Sequence, residues 1–202
     1  KKINFRKAAD LNPTHALVNI DETPKSLADK LNNMGIETIV THPLLIKDNR
    51  KLFQLLGGIF GARNRAKQLT EDFDRALRKL QSLSYKWQPK RALYLIWTNP
   101  WMTVSPDTYI GDVLKQANWM IHAYTPEERY PTISLNDRVL RDVDLVLFSS
   151  EPFPFSVNHV RQFQQNFPAH AEKAKLIDGE MVSWYGSRAI KGLHYLANFA
   201  DQ

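Results

Sequence analysis

Apolar positions along this chain recur in two alternating rhythms. Short runs rich in branched and aromatic residues are separated by longer stretches in which apolar side chains return every three or four residues. The first rhythm predicts strands and the second predicts amphipathic helices. Phe5–Leu11 reads as a helix that stops before Pro13, because the residue ahead of a proline avoids the α region. His15–Asn19 (HALVN) reads as a strand. A helix over 25–34 closes on Gly35, a residue suited to the left-handed turn that ends helices, and a strand follows over 36–41. Asp48 or Asn49 can cap a helix carrying Leu52, Phe53, Leu56, Ile59 and Phe60, which Gly61 interrupts.

The longest periodic segment runs over 63–86. Ala66, Leu69, Phe73, Leu77, Leu80 and Leu83 form a single stripe, with no Pro or Gly to break it before Gln88-Pro89. At 1.5 Å per residue this helix is roughly 35 Å long. Beyond it, 92–97 (ALYLIW) and 143–148 (VDLVLF) are nearly continuous apolar runs, as expected of strands buried on both faces of a parallel sheet. A shorter strand covers 175–178, and helices are predicted over 109–118, 135–141, 157–167 and 188–199. The fold class is therefore α/β: two Rossmann-like lobes with parallel sheets, joined by one long helix. Residues 1–61 form the N-terminal lobe, 62–88 the connecting helix and 89–202 the C-terminal lobe. The first lobe shows only two strands, too few for an independent sheet. It reads as incomplete, with its beginning absent, an expectation in keeping with Lys1 standing where an initiator Met does not.

Composition narrows the function. Of 202 residues, 43% are hydrophobic and 24% charged, ordinary for a globular protein. The absence of Cys excludes disulfides, a thiolate zinc site and a cysteine nucleophile. No apolar run reaches the ~20 residues of a membrane span, so membrane insertion is not expected. Net charge is +6 and uneven. Residues 1–90 carry 17 Lys/Arg against 9 Asp/Glu, giving +8, and residues 91–202 carry 10 against 12, giving −2. The positives are interleaved with acids at helical spacing, as in Glu71–Arg75 and Asp74–Arg78, which describes a solvated helix face rather than a nucleic-acid surface. The six His are scattered without ligand spacing, and no metal site is expected.

Chemistry in an open parallel sheet gathers beyond the carboxyl ends of its strands. In the second lobe those ends read Thr98-Asn99-Pro100-Trp101-Met102, then Ser149-Ser150-Glu151-Pro152-Phe153-Pro154-Phe155, then the segment from Gly179 through Trp184 and Tyr185 to Arg188. Each combines aromatics with a few polar groups and rigid Pro or Gly, a composition suited to holding a large flat ligand. Arg188 either binds an anionic group or pairs with Glu180 or Glu151. In the first lobe His42 follows a strand end, and Asp21-Glu22 follow another, where they also complement the dipole of the next helix. No nucleophile elbow, phosphate loop or zinc-protease motif is present. An α/β enzyme using Ser149, Glu151 and Arg188 is the less favoured reading, since no base accompanies Ser149, and the chain is not expected to be an enzyme.

Several segments carry a resemblance. In the first lobe these are NFRKAADLNPTHALVNIDE, LNNMGIETIVTHP and LLGGIFG. In the second they are WTNPWMTVSPDTYIGDVL, DLVLFSSEPFPF and DGEMVSWYGSRAIKGL. From about Asn4 to its end the chain resembles the helical-backbone (class III) substrate-binding proteins of bacterial ABC importers, the cobalamin-binding type most. The resemblance implies a periplasmic or extracytoplasmic receptor that holds cobalamin or a similar metal chelate in a cleft between its lobes and delivers it to an ABC permease. An iron-siderophore or haem receptor of the same fold is the alternative. It implies ligand-lining roles for Asn99, Trp101, Glu151, Phe153, Trp184, Tyr185 and Arg188 in the second lobe, with Asn19 and His42 at strand ends of the first. Permease docking falls to Asp21 or Glu22 and, near Ser183 where the family has an acid, to Glu180. No cofactor is implied beyond that ligand.

Overall fold

The computed structural model of the chain describes residues 3–125 and 127–201. They form two compact units, one ending at Pro43 and the other beginning at Leu44. In the smaller unit the first helix, α1 (Phe5–Leu11), is capped by the Asn4 side chain, which accepts from the Lys7 N–H at 3.0 Å, and ends on Asn12 in the left-handed region. It is followed by β1 (His15–Asn19), α2 (Lys25–Asn33) and β2 (Glu37–Thr41). Gly35, at φ 79°, makes the turn from α2 into β2 that an L side chain resists. The two strands are parallel, His15 opposite Glu37 and Asn19 opposite Thr41. Leu31 and Ile36 are buried against them, while Leu17 and Val40, on opposite sheet faces, stay 54% and 52% exposed.

The larger unit opens with two helices, α3 (Asp48–Ile59) and α4 (Arg63–Ser84), and continues through β3 (Lys90–Trp97), β4 (Met102–Thr103), α5 (Tyr109–Lys115), β5 (Trp119–Ile121), α6 (Asp137–Arg141) and β6 (Leu145–Ser149). Then come α7 (Val157–Asn166), a 3-10 helix over Pro168–Lys173, β7 (Ala174–Ile177), α8 (Gly179–Ser183) and α9 (Arg188–Ala200). Its sheet is built outward from β3. On one side β5 pairs with the start of β3 and the antiparallel β4 with its end; on the other side β6 and then β7 run parallel to it.

Both faces of β3 and β6 are covered, which is why their sequences lack polar alternation. Tyr94, Ile96, Leu145 and Leu147 face one core with Phe73, Leu77 and Leu80 of α4 and with Leu193 and Leu196 of α9. Leu93, Leu95, Val146 and Phe148 face a second core with Leu140 of α6 and with Val160 and Phe163 of α7. Phe73 and Leu80 are fully buried, so the α4 stripe read from the sequence is the face that lies on this core.

Several expectations change. The compact units divide at Pro43–Leu44, and α4 belongs with the larger unit, its apolar stripe packed against α3 and α9 and sharing a core with β3. Lys47, not Asp48 or Asn49, holds the N-cap position of α3. Asp48 instead accepts the N–H groups of Leu44 and Leu45 at 3.1 and 2.9 Å. Asp74 pairs across to Arg50 at 2.7 Å rather than along its own helix to Arg78, and Asp72 rather than Glu71 pairs with Arg75. β4, β5, the 3-10 helix and α8 are additional elements, and the helix predicted over 135–141 begins at Asp137.

Gly192 marks the closest approach of α9 to α8, where an added methyl would collide with the Met181 carbonyl oxygen. Gly192→Ala should therefore lose about 1–3 kcal/mol of unfolding free energy, measured by urea titration. An unchanged midpoint would contradict this packing.

Candidate ligand-binding site

In the larger unit β3, β6 and β7 run parallel and end on one edge of the sheet. Their following segments meet there. The turn after β3 carries Asn99, exposed and at φ 56°, a conformation Asn tolerates better than most residues. Trp101 beyond it turns inward and stacks on Phe155, 6.0 Å between centroids and 6° between planes, with Phe148 edge-on beneath. Trp97, the last residue of β3, stands 41% exposed and meets Phe153 edge to face at 5.5 Å. The segment after β6 is tied back to β3 by the Phe153 N–H, which donates to the Ile96 carbonyl at 3.3 Å. The polar centre of this edge is Glu151, whose Oε2 accepts the indole N–H of Trp184 at 2.9 Å. Trp184 itself is 52% exposed at the end of α8. An aromatic surface thus surrounds an oriented carboxylate, contributed by three strand ends.

The structure sorts the predicted residues. Trp101, Glu151, Phe153 and Trp184 lie in this one connected group. Tyr185, next along the chain, packs instead against Tyr109 at 6.0 Å, part of the core that includes α5. Arg188 pairs with Glu180, which resolves its choice between Glu180 and Glu151. Ser149 is fully buried, with its hydroxyl bonded to Tyr94 and to the Glu151 backbone, an arrangement that offers no exposed nucleophile. Trp97 is the member of this aromatic group that the sequence reading passed over. It counted as the end of a strand, although strand ends are where ligands sit.

In the smaller unit the parallel strands likewise bring their carboxyl ends together. Asn19 donates from Nδ2 to the Thr41 carbonyl at 3.2 Å and accepts the Asp21 N–H at 2.8 Å, so its amide is engaged at both ends. His42 Nε2 lies 3.4 Å from Asp21 Oδ1. Glu22 follows, its N–H on the Asn19 carbonyl at 3.2 Å. Among the described residues no group of three or more His, Cys, Asp or Glu converges as a metal site.

Burial shapes the tyrosines of the larger unit. Tyr94 and Tyr109 are driven well above the ordinary value by desolvation of their charged forms, against the lowering effect of their hydrogen bonds to Ser149 and Asn49. Tyr124 is pushed up to about 12 by burial and, secondarily, by Asp142.

The carboxyl ends of parallel strands are where open α/β sheets bind ligands, which makes this aromatic, hydrogen-bonded edge the candidate site. The chain belongs to the periplasmic binding protein family, whose model matches residues 2–176. Members of that family are extracytoplasmic binding proteins, and among the described residues no helix is long and apolar enough to cross a membrane. No curated protein matches the chain. Solved structures share the fold at low identity. The periplasmic vitamin B12 binding protein BtuF of Vibrio cholerae matches with a TM-score of 0.83 at 16% identity, over 100% of this chain and 79% of that one. An ABC transporter substrate-binding protein from Listeria monocytogenes EGD-e matches at 0.78 and 16%, over 96% and 79%. IsdE of S. aureus, solved with heme, matches at 0.78 and 18%, over 100% and 82%.

The tyrosine shifts set an alkaline limit. Above about pH 10, where an unfolded tyrosine ionises, the unfolded chain releases protons that the folded chain retains. Their stabilising contribution is complete below that pH and is lost as pH rises toward the folded values. Urea midpoints measured from pH 8 to 11 should fall at the upper end. Tyr94→Phe, though less stable at pH 8, should show a shallower fall. Equal slopes would argue against a buried, neutral Tyr94.

Proposed function

We propose that the chain is a transport receptor that binds a bulky metal chelate, a corrinoid such as cobalamin first, and passes it unchanged to an ABC permease outside the cytoplasm. The observation that carries this reading is the Trp97–Phe153–Glu151–Trp184 edge. Indole and phenyl faces supply apolar contact area at little conformational cost, and one oriented carboxylate accepts hydrogen bonds from amide-bearing substituents. Structural likeness to a vitamin B12 binding protein supports the choice of corrinoid. Likeness to a protein solved with heme supports a haem-type chelate as the second reading. Binding rather than conversion fits a buried, fully bonded Ser149. Asp21, Glu22 and Glu180 are the acids proposed to meet the permease, with Glu180 already neutralised in part by Arg188.

Calorimetry with cyanocobalamin should show saturable binding to the chain. Trp184→Ala or Trp97→Ala should weaken it about tenfold or more, the worth of one large aromatic contact. Binding of hemin without cyanocobalamin would replace the corrinoid reading by the haem one. No heat with cyanocobalamin, hemin or ferric siderophores would overturn the receptor reading.

A further inference from the structure

We infer that Ser149, locked by Tyr94, is a positioning residue for the ligand edge: a buried hydroxyl chain fixes the backbone of Glu151 and thereby the orientation of the Glu151–Trp184 pair. This inference rests on the binding function proposed above.

The chain begins in the middle of the sheet. Tyr94 is fully buried on β3, and its hydroxyl donates to Ser149 Oγ at 2.8 Å. Ser149, also fully buried, is the last residue of the neighbouring strand β6. A serine hydroxyl has one proton to give and two lone pairs to accept with. Ser149 uses all of these. It accepts from Tyr94, accepts the Glu151 N–H at 3.3 Å and donates to the Glu151 carbonyl at 2.6 Å. Because Tyr94 donates into it, the Ser149 proton is directed to the Glu151 carbonyl. Both backbone polar groups of Glu151, in the two peptide units that flank it, are therefore clamped by one side chain that no solvent reaches.

The direction of the Glu151 side chain follows from that clamp, and Trp184 bonds to it. Gly179 is the second condition. An added methyl there would collide with Ser149 Oγ and lie 2.8 Å from the Glu151 N. Only a glycine lets the start of α8 come this close, and its N–H donates to Ser150 Oγ at 3.0 Å. The turn that carries Trp184 is thereby seated against the turn that carries Glu151. Tyr94 and Ser149 touch no ligand on this account; they act through Glu151.

The test uses the whole chain with 15N-labelled tryptophan. Five indole N–H resonances are expected, and that of Trp184 is assigned by its loss in Trp184→Phe. In Ser149→Ala the Trp184 resonance should shift while those of Trp87 and Trp119 stay, and cyanocobalamin should bind about two- to tenfold more weakly, the effect of one lost hydrogen bond. Tyr94→Phe should act in the same direction and less, since Ser149 can still reach the Glu151 carbonyl. Leu80→Val, fully buried in α4 and outside both this network and the core that carries Phe153, should lower stability and move neither readout. If Ser149→Ala does not fold, Tyr94→Phe carries the test. An unmoved Trp184 resonance in the folded variants, or an equal shift in Leu80→Val, would overturn the inference. The resonance needs no ligand. A wild-type chain binding neither cyanocobalamin nor hemin would therefore defeat the receptor reading while the Trp184 shift still decided the positioning role.

Discussion

Everything in the larger unit depends on covering both faces of β3. A parallel strand with continuous apolar side chains cannot leave either face in water, and β3 is buried from Ala92 through Ile96. Two cores result, one closed by α4 and α9 and the other by α6 and α7. The 22-residue α4 uses its stripe on more than the sheet: Ala66 and Phe73 lie against α3, while Leu77 and Leu80 belong to the core shared with β3 and α9. Once the strands are fixed in this way, their carboxyl ends are fixed too. The edge that carries Trp97, Glu151 and Trp184 inherits its rigidity from the sheet.

That inheritance explains how much was legible beforehand. β1 and α1 coincide with their predicted limits because a branched apolar run and a stop before Pro13 are local signals. β4 and β5, at two and three residues, are too short for any period to show, and both are defined by pairing with distant residues, β3 above all. α8 did have a local mark, since Asp178 accepts the Met181 N–H as an N-cap at 3.3 Å, but five residues carry no periodic pattern. The division at Pro43–Leu44 leaves no local mark for a related reason. Length and stripe reveal α4 as a helix without revealing which unit the stripe is buried in.

The aromatic edge proposed as the site was legible at the level of segments and not of directions. The strand-end rule picks out the stretches holding Trp101, Glu151, Phe153 and Trp184. It does not say that Trp184 reaches back 33 residues to Glu151, or that Tyr185, one residue later, turns to Tyr109. Adjacent residues at a helix end point to different sides, and only tertiary packing decides which side meets the ligand edge. Ser149 shows the converse case. Its position at a strand end suggested chemistry, whereas burial gives it a structural role.

The balance of exposed and buried groups at this edge has a consequence for binding. Trp97 and Trp184 keep 41% and 52% of their surface in water, an arrangement that gains little for folding. Phe148 and Phe155 are buried, Trp101 is stacked on Phe155, and Phe153 joins Phe155 to Trp97. Packed rings thus support the open ring of Trp97, and Glu151 holds that of Trp184. An indole whose N–H is already held by Glu151 has less freedom to lose when a ligand lies against it. Since the ordering of flexible side chains is a main cost of association, such a surface retains more of its contact energy as affinity. On the proposed function, the edge is therefore organised before any ligand arrives. Its organisation comes from hydrogen bonds that end inside the sheet, at Tyr94 and Ser149, where water cannot compete for them.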